Sequence, residues 1–249
     1  MEIIITVFFA LLGAVLASFI GVLSERLYTG EAWINDRSRC NSCARELGMR
    51  DLIPVFSWLA SKGRCFSCHS RIPFQYALTE LVLAGLFALS YHQLGLSYAL
   101  VLFLLALSVL LFIVLYDLRH TVVPQGASNL LLIFSIGFAY LTAPSLISLG
   151  ISGLVAGVIG LFFLALYVFS KGRAMGLGDA PVALALSLLV SSAAISGLLF
   201  SFWIGALVGI VILVRHPRGH RMGIEVPFVP FLAAGYLLAF FTQWNPFQF

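Results

Sequence analysis

Long apolar runs alternate with short polar breaks along most of this chain, and one break is far longer than the others. The runs cover 3–23, 76–90, 98–116, 127–141, 149–170, 179–191, 195–214 and 226–241. A membrane helix needs about 20 apolar residues, or fewer where the bilayer thins or neighbouring helices bury it. The run at 179–191 is the shortest. Hydrocarbon offers no partner to backbone N–H and C=O groups, so each run is predicted to be a helix. The expected fold is an all-α, polytopic membrane protein of about eight transmembrane helices, with a large polar loop after the first.

Composition closes off the soluble alternative. The chain is 61% hydrophobic and only 10% charged, with a mean hydropathy of +1.05, more than a soluble domain of 249 residues can bury. The first run has no basic residue before it, and Glu25 and Arg26 follow where a small-x-small cleavage site would stand. It therefore reads as a retained helix and not as a secretory signal.

Charge adds orientation. Eight of the fourteen basic residues (Arg26, Arg37, Arg39, Arg45, Arg50, Lys62, Arg64 and Arg71) fall between the first two runs. Arg119 follows the third, Lys171 and Arg173 the fifth, and Arg215, Arg218 and Arg221 the seventh. The alternate connections carry none, so the positive-inside rule puts the basic loops in the cytoplasm and both termini outside. Three regions result: a first transmembrane helix at 1–23, a cytoplasmic loop at 24–75, and a seven-helix domain at 76–249. The loop's cations should rest on anionic membrane lipids; no nucleic-acid partner is expected, and the oligomeric state is left open.

Beyond residue 75 only Glu80, Asp117, Asp179 and Glu225 are acidic. Asp117 closes the third run and Asp179 opens the sixth, so the alternation brings both to the cytoplasmic end of a span. An ionisable group at such depth is a functional candidate. Two carboxylates sharing a proton suit hydrolysis: the ionised one takes a proton from the attacking water, and the neutral one donates to the developing oxyanion. Asp179 sits where a helix N-terminus favours an anion and Asp117 near a C-terminus, so Asp117 is expected to hold the proton. Gly176 and Gly178, just before Asp179, are read as a flexible active-site loop. Plain alternatives stand beside this: Asp179 as an N-cap with Pro181 in the first turn, and Asp117 as a surface partner of Arg119.

The long loop contains Cys40-x-x-Cys43 and Cys65-x-x-Cys68, with 21 residues between the pairs. Four thiolates at this spacing suit one tetrahedral structural Zn²⁺. A reducing compartment disfavours disulfides, and a redox CxxC lacks its βαβ setting. "CFSCH" also matches a haem attachment motif, which leaves Cys40 and Cys43 unexplained. Trp58 and Phe56, between the pairs, are expected to form a small core, the alternative being a place on the membrane surface. Gly150, Gly153, Gly157 and Gly160 suggest close helix packing.

"YDLRHTVVP" (116–124) followed by "MGLGDAPVALAL" (175–186) resembles the two active-site motifs of the type IV prepilin peptidases, membrane aspartic proteases of the GxGD type. "VPFVPFLAAG" (226–235) resembles a third segment of that family, with Val229 replacing a glycine. "ASFIGVLSER", "IPVFSWLASKGRC" and "IPFQYALTEL" resemble the amino-terminal region of its bifunctional members. The resemblance implies an inner-membrane enzyme with Asp117 and Asp179 as catalytic residues. Its substrates would be prepilin or pseudopilin proteins, cut between a short basic leader and an apolar helix. It also implies N-methylation of the new terminus with S-adenosylmethionine, with Gly63 and Glu80 in the methyltransferase region. Glu80 is equally readable as a structural hydrogen-bond acceptor. Presenilin-like proteases share the aspartate pair but carry a Pro-Ala-Leu motif that is absent here, and a non-catalytic, metal-stapled assembly scaffold is the alternative of a different class.

Overall fold

A computed structural model describes residues 1–30, 37–173, 175–215 and 226–244; Arg218, Arg221 and Glu225 lie outside the described residues. The chain divides into two compact units, 1–96 and 97 onward. Among the described residues every extended element of length is a helix; only two isolated β-bridges occur.

In the first unit, α1 (Glu2–Thr29) packs along α3 (Phe74–Leu94). Gly13 permits the approach: a Cβ there would lie 2.7 Å from the Leu83 carbonyl oxygen. Ala17, Leu83 and Phe87 fill the seam, and Phe9 stacks on Tyr91 with centroids 5.3 Å apart. Between these helices lie the cysteine segment and a single turn of helix, α2 (Phe56–Ala60).

The two CxxC segments repeat one geometry. Cys40 N–H donates to the Arg45 carbonyl and Cys65 N–H to that of Ser70, each at 2.9 Å. Ala44 and His69, each just after the second cysteine of its pair, both adopt left-handed backbone at φ 55°. Trp58 is half-buried; its Nε1 donates to the Ile72 carbonyl at 3.2 Å and its ring meets Phe74 edge-on. Phe56, expected beside it in the core, is 64% exposed. The five-residue helix is too short to bury both rings.

The second unit holds α4 (Tyr98–His120), α5 (Gln125–Thr142), α6 (Leu146–Ser170), α7 (Asp179–Val190), α8 (Ala194–Arg215) and α9 (Val229–Thr242). Ser97 and Ser145 cap α4 and α6 by accepting the N–H groups of Leu100 and Ser148. Ser191, at φ 49°, breaks the apolar run between α7 and α8. Among the described residues six helical segments are long and apolar enough to cross a membrane when 179–215 is counted as one; α9 is shorter. The eight long helices coincide closely with the eight apolar runs. At 1.5 Å per residue, α7 extends only about 18 Å, less than a bilayer core.

That short helix is the centre of the unit. It contacts α5, α6, α8 and α9, and ten of its twelve residues are buried. A helix apolar on every side is stable only inside others. Its Ala180, Ala183 and Ala185 admit neighbours closely, and Ser187 shares a 2.8 Å hydrogen bond with the buried Tyr236 hydroxyl of α9.

Candidate active site and metal centre

Asp117 stands in the last turn of α4, and Thr121 ends the helix in left-handed backbone, its N–H donating to the Asp117 carbonyl at 2.8 Å. Asp179 is the first residue of α7. Its Oδ2 accepts the Gly176 N–H at 3.1 Å while its own N–H donates to the Gly176 carbonyl at 3.2 Å, a reciprocal turn that fixes the carboxylate at the helix start. The two aspartates are 5% and 6% exposed. Both line one cavity of about 1350 Å³, walled by the 121–123 turn, residues 171–173 and 175–178, one face of α6 and the Val226–Phe228 segment. Asp179 has a donor; Asp117 Oδ2 is buried with no hydrogen-bond partner. A buried carboxyl oxygen without a partner is costly, and marks a place where a ligand or water belongs.

The two glycines before Asp179 differ in what surrounds them. Gly178 has φ −67° and ψ −21°, and Gly176 is not among the positive-φ glycines, so other residues could adopt either backbone. Space is the constraint at Gly178, where a Cβ would fall 2.5 Å from Val123 Cβ. The expectation of tight packing along the α6 glycines is also corrected. Gly160 packs under Leu184 of α7, but Gly150, Gly153 and Gly157 have nothing within 4 Å of a Cβ position.

Cys40, Cys43, Cys65 and Cys68 place their sulfurs within 4.8 Å of one another. Cys40 and Cys68 Sγ are 3.8 Å apart, too far for a disulfide and close to the roughly 3.8 Å edge of a tetrahedron with 2.3 Å Zn–S bonds. Amide hydrogen bonds from Ser42 and Cys43, with the Ser70 hydroxyl, bring the Cys40 thiol down to about 6. Ser70 likewise lowers Cys68. The donor set fits zinc.

Glu80 is 8% exposed and its Oε2 accepts the Val55 N–H at 2.7 Å. Val55 is held at φ 61°, a left-handed conformation unusual for a β-branched residue. Glu80 also lines a second cavity, of about 240 Å³, with Glu25, Trp58, Arg64, Arg71 and Tyr76. Gly63 does not. At φ +68°, with a Cβ position 2.9 Å from the Trp58 ring, it forms the turn that carries that ring. Sequence reasoning overlooked Val123 and Val55, since an isolated valine in a loop carries no signal.

Residues 11–94 match the family profile of the Bacterial Peptidase A24 N-terminal domain, and residues 104–214 match the Type IV leader peptidase family. A prepilin leader peptidase/N-methyltransferase of Bacillus subtilis (strain 168) is 34% identical over 235 residues, covering 92% of this chain and 90% of that relative. The chain belongs to the type IV leader peptidase family. Another prepilin leader peptidase/N-methyltransferase of that family, from Dichelobacter nodosus, is 33% identical over 216 residues, with 80% and 69% coverage. One from Myxococcus xanthus (strain DK1622) is 30% identical over 216 residues, with 85% and 64% coverage. No solved structure matches the chain. The two profile matches of this leader peptidase fall on either side of the boundary between its compact units.

Proposed function

We propose that the protein is an intramembrane aspartic endopeptidase that removes the leader from prepilin-like substrates at the cytoplasmic face of the inner membrane. One observation carries the reading: two carboxylates distant in sequence line one chamber, and one oxygen of Asp117, Oδ2, is buried without a hydrogen-bond partner. Asp179, held by the Gly176 amide and the start of α7, acts as the ionised base. It takes a proton from water as the oxygen attacks the scissile carbonyl. Asp117, with no donor at Oδ2, holds the second proton and gives it to the oxyanion. Collapse of the tetrahedral intermediate breaks the C–N bond, and the proton gained by Asp179 passes to the leaving amine. The basic loops, by the positive-inside rule, support a cytoplasmic position for this chamber.

Methyl transfer to the new amino terminus is the second activity, favoured by the 240 Å³ cavity and by the names of the relatives. That cavity offers carboxylates and aromatic rings to a sulfonium, and the Arg64 and Arg71 guanidinium groups to an amino-acid carboxylate. S-adenosylmethionine supplies an electrophilic methyl group when bound. Glu25 and Glu80 would face its positive charge. Zinc on the four cysteines would act structurally, since four sulfurs leave no open position.

The test is cleavage of a prepilin-like substrate in detergent or proteoliposomes. Asp117→Asn and Asp179→Asn should each lower the rate by about 10²–10⁴-fold or more, with zinc content unchanged. Near-wild-type cleavage by either variant overturns the peptidase reading.

A further inference from the structure

Five large apolar side chains within residues 49–59 are exposed: Met49, Leu52, Ile53, Phe56 and Leu59, from 45% at Leu52 to 90% at Met49. All lie in the first unit. Such a cluster on a polar loop marks an interaction surface. Its charge is one-sided. Arg50, Lys62 and Arg64 are exposed, whereas Asp51, the only acid between Glu46 and Glu80, is turned inward. The Asp51 side chain is 13% exposed, and its Oδ2 accepts from the Arg45 guanidinium and the Gly48 N–H, each at 2.9 Å.

Two hydrogen bonds fix the height of this segment along α3, a helix long and apolar enough to cross a membrane. Trp58 Nε1 donates to the Ile72 carbonyl at 3.2 Å, just before α3 begins, and the Val55 N–H donates to Glu80 Oε2 at 2.7 Å. Helical side chains lean toward the N-terminus, so the Glu80 contact falls in the first two turns of α3. At 21 residues, α3 is about 31 Å long, matching a hydrocarbon core of about 30 Å. Its first turns therefore lie at the boundary between headgroups and acyl chains. Ile53 and Phe56 flank Val55 and are carried to that depth, where water gives way to lipid.

We propose that residues 49–59 form an interfacial anchor in an anionic lipid surface. Met49, Leu52, Ile53, Phe56 and Leu59 sit among the outer acyl carbons. Arg50, Lys62 and Arg64 reach the phosphates, their aliphatic stems lying along apolar surface. Lipid accounts for both halves of the patch: exposed apolar groups at acyl depth, and cations with no exposed acid among them. A protein partner would have to enter the bilayer boundary to cover the same residues. The segment also supplies Asp51, Leu52, Ser57 and Trp58 to the cavity of about 240 Å³, so its depth sets where that cavity meets the membrane.

The experiment uses the full chain in nanodiscs of phosphatidylcholine with phosphatidylglycerol, with zinc content measured throughout. A photo-crosslinking phenylalanine analogue at position 56 should capture lipid, seen by mass spectrometry. The same analogue at position 46, where the Glu46–Arg37 ion pair is exposed, should capture none. Trypsin should cut after Lys62 and Arg64 about fivefold more slowly in these nanodiscs than in pure phosphatidylcholine. Phe56→Glu, at an exposed position, should remove most of that protection and keep zinc, and Phe56→Leu should retain it. Capture from 56 of another part of this chain or of a second copy, in place of lipid, overturns the anchor. Equal lipid capture from 46 does so too. Equal tryptic rates for the wild type in anionic and neutral nanodiscs overturn it as well, and that comparison decides alone if the analogue at 56 costs the protein its zinc.

Discussion

Gly178 and Val123 are packed so closely that a Cβ atom on residue 178 would lie 2.5 Å from the Val123 Cβ. Val123 belongs to the turn that follows Asp117, and Gly178 immediately precedes Asp179. This contact therefore clamps the backbone beside one carboxylate against the backbone beside the other. Gly178→Ala should force the two segments apart at a cost of about 1–3 kcal/mol. A displacement near 1 Å at a reacting group costs about 10²-fold in rate. Cleavage should fall by that order, and the double variant Gly178→Ala with Val123→Ala should recover most of it. Kinetics of the two single variants and the pair would check the coupling.

Zinc binding should release fewer than four protons at neutral pH. The Cys40 thiol, held down to about 6 by the Ser42 and Cys43 amides, is already a thiolate there and has no proton to lose. Its lowered value also gives the sign: zinc uptake should weaken as pH falls through about 6, where a proton must now be displaced from this sulfur too. Calorimetry of zinc addition to the metal-free protein in buffers of different ionisation enthalpy counts the protons. Release of four at pH 7.4 would contradict this geometry.

Glu80 should separate the two activities. Replacing it with Ala leaves the Val55 N–H without its acceptor, worth about 1–3 kcal/mol when buried, at a residue whose φ of 61° already needs support. Glu80→Ala should lose methyl transfer, measured by mass spectrometry of the processed amino terminus, while leader cleavage stays within about threefold. Glu80→Gln keeps an acceptor and should retain the loop, measured by trypsin resistance at Lys62 and Arg64.

Gly235→Ala should be among the most damaging single-methyl changes in the protein. A Cβ on residue 235 runs into the backbone and hydroxyl of Ser201 on α8, and backbone cannot rotate away as a side chain can. The expected destabilisation is about 3 kcal/mol or more, read as loss of folded protein in detergent on heating. Gly209→Ala, with nothing within 4 Å, should leave the melting temperature unchanged within about 2 °C.

The helices were legible because the bilayer leaves apolar runs only one common backbone solution. The break at Ser191 appeared in the sequence as a short run, 179–191, and in the structure as a 12-residue helix. The cysteine cluster was legible from spacing, since two CxxC turns present thiols in pairs. The aspartates were legible because charge is so sparse in this chain that two carboxylates at span ends stand out. Helix polarity told the two aspartates apart, but distance from solvent and partners did not show in the sequence: Asp179 receives the Gly176 amide, and Asp117 Oδ2 receives none.

Glycine was the residue most misread. Gly153 and Gly157 form a motif that suggests packing, yet only Gly160 of that series meets another helix; Gly13 and Gly197, in no motif, sit at close approaches of 2.7 and 2.6 Å. The sequence alone determined which segments enter lipid, which thiols gather and which carboxylates lie near a membrane interface, because solvation and ligand chemistry act on each residue type locally. Only the tertiary structure decided that α7 lies at the centre, that Val123 closes on Gly178, and that three glycines of α6 remain uncovered. Those outcomes depend on the shapes of surfaces brought together from distant parts of the chain, and shape complementarity is a property of pairs of helices, encoded in neither one by itself.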